Sequence, residues 1–107
     1  MRNIALLAMF WLPLMLADAT FAPASEAASI VIADLEFAPS AVTVRVGETV
    51  TWINKDLVEH TATSRDGDFD VNTPKARPAR WRATKVGDFS YYCRLHPNMT
   101  GVIHVTR

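Results

Sequence analysis

One stretch near the C-terminus sets both the fold and the chemistry of this chain, residues 91–101: Tyr91-Tyr92-Cys93-Arg94-Leu95-His96-Pro97-Asn98-Met99-Thr100-Gly101. It contains the chain's only cysteine and spaces a thiol, an imidazole and a thioether at intervals of three residues. Soft sulfur donors combined with imidazole, with one weak thioether among them, are the donor set of mononuclear copper sites. The spacing therefore predicts a copper site on one tight loop.

A second imidazole completes the candidate ligand set, which is His60, Cys93, His96 and Met99. His60 lies 33 residues before Cys93, at the start of a β-branched segment. A copper ion that changes its oxidation state rapidly needs ligands that move little, and a stiff β-scaffold supplies them. Because a Greek-key sandwich brings two strand ends to the same pole, we expect His60 to reach the cysteine loop.

The rest of the chain predicts strands and no helix. No apolar period of 3.6 residues persists for ten residues, whereas short segments alternate with period two between Gly, Asp and Pro turns. Val50 and Trp52 share a face that is assigned to the core. About seven short strands predict an all-β, Greek-key antiparallel β-sandwich. The strand segments are residues 29–33, 41–46, 49–54, 60–63, 69–71, 79–84, 89–93 and 102–106.

The N-terminus predicts export. Arg2 precedes an apolar run over residues 4–16, which Pro13 interrupts and Asp18 ends, and small residues follow. The run is shorter than the roughly 20 residues that a transmembrane helix needs. We therefore predict a signal peptide at residues 1–27 and one domain at residues 28–107, with an uncleaved membrane anchor as the alternative.

Charge and cysteine content narrow the class of protein further. Removal of residues 1–27 leaves one more basic than acidic side chain, which favours neither nucleic acid nor a membrane surface as a partner. The lone Cys93 cannot form an internal disulfide, and a free thiol in an oxidising compartment is a liability unless it is buried or bound to metal. Copper ligation resolves that conflict.

Three groups of residues together resemble the cupredoxin, or type 1 blue copper, family, and within it the amicyanins. They are Val44-Arg45-Val46-Gly47-Glu48-Thr49-Val50-Thr51-Trp52-Ile53-Asn54, the position of His60, and Tyr92-Cys93-x-x-His96-Pro97-x-Met99-x-Gly101. The chain departs from the amicyanin pattern at Thr61, where Asn is usual, and at Leu95, where proline is common. Both departures affect the surroundings of the ligands and so the reduction potential.

The resemblance implies a function and its participants. It implies one copper ion in a type 1 site and a monomeric periplasmic carrier of single electrons. The implied partners are a periplasmic dehydrogenase as donor and a c-type cytochrome as acceptor, in transient contact around His96, with no nucleic acid and no membrane after signal cleavage. Leu95, Pro97 and Leu57 or Val58 form the expected apolar contact surface.

Two other classes of function agree less well with the sequence than electron transfer does. A periplasmic copper chaperone or storage protein is the alternative, but such proteins tend to offer several thioethers, and only Met99 follows the signal. An enzyme is not expected, because copper enzymes of this family need further histidine clusters and this chain has three histidines in all. Two other features predict only ordinary surface. His104 is expected to be an exposed strand residue. Residues 66–70, called here the calcium-like stretch because their acidic side chains are spaced as in a calcium-binding loop, are expected to form a solvated turn.

Overall fold

The structure, a computed structural model, describes residues 8–13 and 26–107. All the regular elements in these two ranges are β-strands, and no helix among the described residues could cross a membrane. The predicted signal peptide, residues 1–27, lies mostly outside the described residues. Its boundary with the domain at residues 28–107 stays a prediction.

Nine strands make up the described part of the chain, one more than the eight segments predicted from the sequence. β2 is the strand that sequence reasoning missed, because its three residues are too few to show alternation and stand next to Pro39. β6 also extends two residues into a segment expected to be a loop. The strands are β1 Glu26–Ala33, β2 Glu36–Ala38, β3 Ala41–Arg45, β4 Thr49–Asn54, β5 His60–Ser64, β6 Asp70–Thr73, β7 Ala79–Arg82, β8 Gly87–Tyr92 and β9 Thr100–Thr106.

The strands form two sheets that pack face to face. One has the order β2-β1-β4-β7 and the other the order β3-β9-β8-β5-β6. The expected sandwich is confirmed, but the expectation of purely antiparallel sheets is wrong for two pairs, since β1 runs parallel to β4 and β3 runs parallel to β9. Side-chain alternation reports which face a residue occupies and carries no information about strand direction.

The core lies between the two sheets and is built from alternate residues of the strands. In β8, Phe89 and Tyr91 point inward while Asp88 and Ser90 are exposed. Trp52 is fully buried, as predicted, and its ring meets those of Phe69 and Tyr91 at centroid distances of 5.9 and 5.7 Å. Further fully buried members of this core are Ile30, Ile32, Val50, Ala62, Ala83 and Ile103.

Strand pairing brings the two predicted ligand segments to the same end of the sandwich. β5 runs antiparallel to β8, with Thr63 opposite Tyr92. The start of β5 at His60 therefore lies beyond the end of β8, which is where Cys93 follows. We call this end, formed by residues 34–35, 54–60 and 93–99, the ligand pole.

Candidate metal centre

The loop between β8 and β9 carries three of the four predicted ligands in a compact, internally bonded turn. The Cys93 amide donates a hydrogen bond to the Met99 carbonyl at 3.1 Å, and the Met99 amide donates to the His96 carbonyl at 2.9 Å. Pro97 lies between His96 and Met99, and its ring fixes the backbone angle φ at that position. The Cys93, His96 and Met99 side chains are thus presented by one short, stiff segment.

His60 meets this loop from the start of β5. Its Nδ1 atom lies 3.7 Å from Cys93 Sγ, and His96 Nδ1 lies 3.9 Å from the same sulfur. One donor atom from each of the three residues falls within 4.8 Å of the other two. No other group of three His, Cys, Asp or Glu side chains among the described residues is arranged to hold a metal ion.

These separations fit a single metal ion between the three donors. First-row metal bonds of about 2.0 Å to nitrogen and about 2.3 Å to sulfur, at trigonal angles, place nitrogen and sulfur about 3.7 Å apart. Two imidazoles and one thiolate in a trigonal arrangement, with a weak thioether, are the donors of type 1 copper. Met99 belongs to the same loop and is 3 % exposed. The donor set therefore fits copper.

The sulfur of Cys93 is buried among groups that suit a metal ligand. The side chain is fully buried and is the free cysteine of the chain. The Thr61 amide donates a hydrogen bond to Cys93 Sγ at 3.3 Å, and it is a donor that a negatively charged sulfur attracts. The ligating form of cysteine is the thiolate, and a cation between this sulfur and the two imidazoles would offset its charge.

His60 is oriented by a carboxylate. Its Nε2 atom lies 2.8 Å from Asp56 Oδ2. Burial opposes ionisation of Asp56, but hydrogen bonds from the Leu35 amide, the His60 ring and the Asp34 amide outweigh it and hold the pKa of this carboxyl below its ordinary value. An ionised carboxylate only accepts hydrogen bonds, so Nε2 carries the proton. The lone pair of Nδ1 then faces Cys93.

The same carboxylate anchors the turn between β1 and β2. The Asp34 amide donates to Asp56 Oδ1 at 2.8 Å and the Leu35 amide to Asp56 Oδ2 at 3.1 Å. Asp34 and Leu35 have φ angles of 51° and 58°, a left-handed backbone that costs energy in a residue with a side chain. Asp56 thus stabilises a strained turn and a candidate ligand together.

Asn54 shapes the connection that leads to His60. It is buried, and its Nδ2 atom donates to the carbonyls of Val58 at 2.8 Å and Thr73 at 2.9 Å. Its Oδ1 atom accepts the Asp56 amide at 2.9 Å. One side chain therefore satisfies two backbone groups of the loop before His60 and ties that loop to the end of β6.

Thr61, one of the two departures from the family pattern, still joins β5 to the ligand loop. The Thr61 hydroxyl oxygen accepts the Arg94 amide at 2.9 Å, while the Thr61 amide contacts the sulfur of Cys93. Thr61 therefore links β5 both to the side chain of Cys93 and to the backbone amide of the residue that follows it. At the other departure, the Leu95 side chain is 57 % exposed beside the half-buried His96.

Sequence reasoning predicted the donors but missed the residues that orient them. Asp56 precedes His60 by four positions in a loop, where that spacing has no periodic meaning. In the sequence, Asn54 has only the character of a strand end. Their roles depend on which backbone groups the fold brings near them, and no motif in the sequence indicates that.

The two remaining features behave as ordinary surface. His104 extends from β9, where its Nδ1 atom lies 2.6 Å from Asp88 Oδ1. In the calcium-like stretch, Asp68 pairs with Lys85 at 2.8 Å and Asp70 with Arg94 at 3.1 Å. The Ser64 hydroxyl accepts the amides of Asp68 and Phe69, which confirms the predicted turn.

Comparison with known proteins agrees with this geometry. A sequence model of the Cupredoxin-like domain matches residues 4–105. The chain is 28 % identical to amicyanin of Paracoccus denitrificans over 97 residues, which cover 82 % of this chain and 74 % of that protein. It is 30 % identical to amicyanin-alpha of Methylorubrum extorquens over 90 residues, covering 78 % and 75 %.

Solved amicyanin structures have the same fold. The Cu(I) form of one amicyanin mutant superposes with a TM-score of 0.66 at 29 % identity, covering 78 % of this chain and 86 % of that one. An oxidised amicyanin mutant gives 0.67 at 29 % identity, covering 76 % and 83 %. The chain therefore belongs to the cupredoxin-like family. The predicted resemblance to amicyanins and the predicted copper cofactor are both confirmed.

Proposed function

We propose that this protein carries single electrons with one copper ion held by His60, Cys93, His96 and Met99. One observation supports the proposal above all others: three donor atoms from two distant segments converge within 4.8 Å in a largely buried setting. Membership of the cupredoxin-like family and similarity to amicyanins point to the same function.

The chain's own residues keep the site stiff and dry. Bound copper supplies a one-electron couple, which no side chain in the site provides by itself. Asp56 fixes the His60 ring, the Thr61 amide stabilises the Cys93 sulfur, and the loop hydrogen bonds hold Met99. Because His60 and Cys93 are almost completely buried, water has little access to compete with these donors.

His96 is the best candidate for the point where electrons enter and leave. It is the one predicted ligand that is half-buried, and Leu35, Leu95 and Pro97 line the same surface depression. Leu57, 89 % exposed, and Val58 extend the apolar area at the ligand pole. A small apolar surface suits brief contacts that must release quickly.

The finer parts of the proposal concern partners and location. Similarity to amicyanins supports a dehydrogenase-type donor and a c-type cytochrome acceptor, both meeting the surface around His96. We place the protein in the periplasm as a monomer, exported by the signal peptide at residues 1–27. An export assay with this segment deleted tests the location, and stopped-flow mixing of the reduced copper protein with oxidised c-type cytochromes tests the acceptor.

Copper storage or delivery fits this site poorly. A protein that surrenders its metal needs ligands that an acceptor can reach and replace. Here the sulfur atoms lie in residues that are 0 % and 3 % exposed, Cys93 and Met99. That burial favours retention of copper through many cycles of reduction and oxidation.

Loading the purified protein with Cu(II) tests the function directly. We expect an intense visible thiolate-to-copper absorption and narrow copper hyperfine splitting in the EPR spectrum. Cys93→Ala should abolish the band, whereas His104→Ala, which removes the histidine far from the site, should leave it unchanged. A colourless protein, or a band that survives Cys93→Ala, contradicts the proposal.

A further inference from the structure

Four residues beside the candidate site form a closed ring of hydrogen bonds. The Arg94 amide donates to Thr61 Oγ1 at 2.9 Å, and Thr61 Oγ1 lies 2.9 Å from Thr63 Oγ1. The Thr63 hydroxyl donates to Asp70 Oδ1 at 2.8 Å, and Arg94 Nε donates to the same oxygen at 3.1 Å. Arg94 thus begins and ends the ring.

The proton positions in this ring follow from what each group can do. The ionised Asp70 carboxylate only accepts, so the single hydroxyl proton of Thr63 points to Asp70. Thr63 Oγ1 is then free to accept the hydroxyl proton of Thr61, whose oxygen accepts the Arg94 amide. Each bond polarises the next in the same direction, and Thr61 and Thr63 are only 3 % and 9 % exposed.

We propose that Thr63 and Asp70 are positioning residues that fix Cys93 against His60 through this ring and thereby raise the reduction potential of the site. The inference rests on the proposed copper ligation by these two residues. Neither Thr63 nor Asp70 is a candidate ligand. Both act through Thr61 and Arg94, which flank the ligands in the sequence.

The link from the ring to the sulfur is residue 61. Its hydroxyl holds the amide that follows Cys93, and its own amide contacts Cys93 Sγ at 3.3 Å. An N–H group aimed at the thiolate favours the reduced state, because the sulfur keeps more negative charge when the metal accepts an electron. A loosened ring lengthens this contact and lowers the potential.

The charge on Asp70 is secured by the ring itself. The Thr63 hydroxyl and, against the effect of burial, the Arg94 guanidinium lower the pKa of the Asp70 carboxyl from its ordinary value. Asp70 therefore remains an acceptor at neutral pH. It belongs to the calcium-like stretch that the sequence analysis assigned to a solvated turn, and it lies in β6, the edge strand next to β5.

Thr63→Val tests the ring without a change of charge or shape. We expect the Arg94 amide to exchange its hydrogen about tenfold faster in the metal-free protein, and the midpoint potential of the copper-loaded protein to fall. Thr63→Ser, which restores the hydroxyl, should return both values to those of the parent. Thr106→Val, at the opposite end of the sandwich, should change neither.

The outcomes separate this inference from the function on which it rests. Suppose that the copper-loaded parent shows the charge-transfer band but that Thr63→Val has the same Arg94 exchange rate and midpoint potential as the parent. That result would overturn the positioning role alone. A parent without the charge-transfer band would overturn the copper assignment and the effect on potential with it. Asp70→Ala opens the ring from its exposed side and provides a test if Thr63→Val does not fold. It should accelerate hydrogen exchange at the Arg94 amide. An unchanged exchange rate in Asp70→Ala also overturns the proposal.

Discussion

At the scale of single residues, the carboxylate of Asp56 shows how one side chain combines stability with function. It accepts hydrogen bonds from two backbone amides and from the His60 ring. The two amides belong to a turn whose left-handed residues would otherwise be unfavourable. Removal of this carboxylate should therefore affect both the folded chain and its affinity for metal.

Asp56→Ala should lower copper affinity about 10- to 100-fold, because His60 loses the partner that fixes its ring. It should also lower the free energy of unfolding of the metal-free protein by about 1–3 kcal/mol, since the buried His60 ring loses its acceptor and the left-handed turn loses two hydrogen bonds. Copper titration and chemical denaturation measure the two effects. Glu59→Ala removes the same charge from an exposed position of the same loop, and an equal effect there would contradict the interpretation.

Tyr91 makes a prediction about alkaline pH. Burial raises the pKa of its phenol from 10.0 to about 12, although the hydrogen bond from Trp52 acts in the opposite direction. Because the folded pKa is the higher one, this contribution to stability is fully present below pH 10.0 and is lost as the pH rises towards about 12.

We therefore expect the free energy of unfolding to fall by about 2 kcal/mol between about pH 9 and about pH 11.5 on account of Tyr91. Denaturant titrations at the two pH values measure the loss. In Tyr91→Phe the loss should shrink by that amount. A phenylalanine variant as alkali-sensitive as the parent would show that other groups control the transition.

At the scale of elements, the pairing of β8 with β9 places Tyr91 opposite Gly101. The sequence suggested that this glycine permits a tight exit from the ligand loop. The structure gives a different reason, since a Cβ atom at Gly101 would lie 2.5 Å from Cζ of the Tyr91 ring. The tyrosine ring crosses the position where any other residue would place its side chain.

Gly101→Ala should destabilise the protein by about 1–3 kcal/mol, because the Tyr91 ring, fully buried and packed against other aromatic rings, would have to shift. Gly67→Ala is the comparison: no atom lies within 4 Å of its added Cβ, and only the φ angle of +81° resists it. That backbone cost is about 1 kcal/mol. Denaturation midpoints that rank Gly67→Ala as the more damaging change would contradict the steric explanation.

At the scale of the whole molecule, the sandwich has two chemically different ends. The ligand pole carries the exposed apolar side chains Leu35, Leu57, Val58 and Leu95, and Leu35 and Leu95 line the same depression as His96. The opposite end, where β8 begins, carries the exposed Val86 next to the charged turn after β7. If electrons pass at the ligand pole, only changes there should slow their transfer.

Leu57→Glu should slow electron self-exchange between two copies of the protein at least about tenfold, because like charges then face each other across the contact. The reduction potential should change little, since Leu57 is not a candidate ligand. Val86→Glu places the same charge at the opposite end and should leave the rate near that of the parent. NMR line broadening in mixtures of the two oxidation states measures the rate, and equal slowing by both variants would exclude this contact surface.

Much of this architecture could be predicted from the sequence because its signals are local. The alternation in β4 placed Val50 and Trp52 in the core, and both are fully buried. The spacing of the sulfur and nitrogen donors predicted a metal loop between the last two strands, and the structure places these residues between β8 and β9. These features depend on residues close together in the chain, where period and spacing carry the information.

What the tertiary structure alone decided concerns residues far apart in the chain. The parallel pairing of β1 with β4, the role of Asp56 as the partner of His60, and the ring that joins Asp70 to Arg94 have no local signature. A hydrogen bond needs a donor and an acceptor about 3 Å apart, and only the packing of the two sheets sets that distance. The sequence by itself determined which atoms could bind copper, and the fold determined which side chains hold those atoms in place.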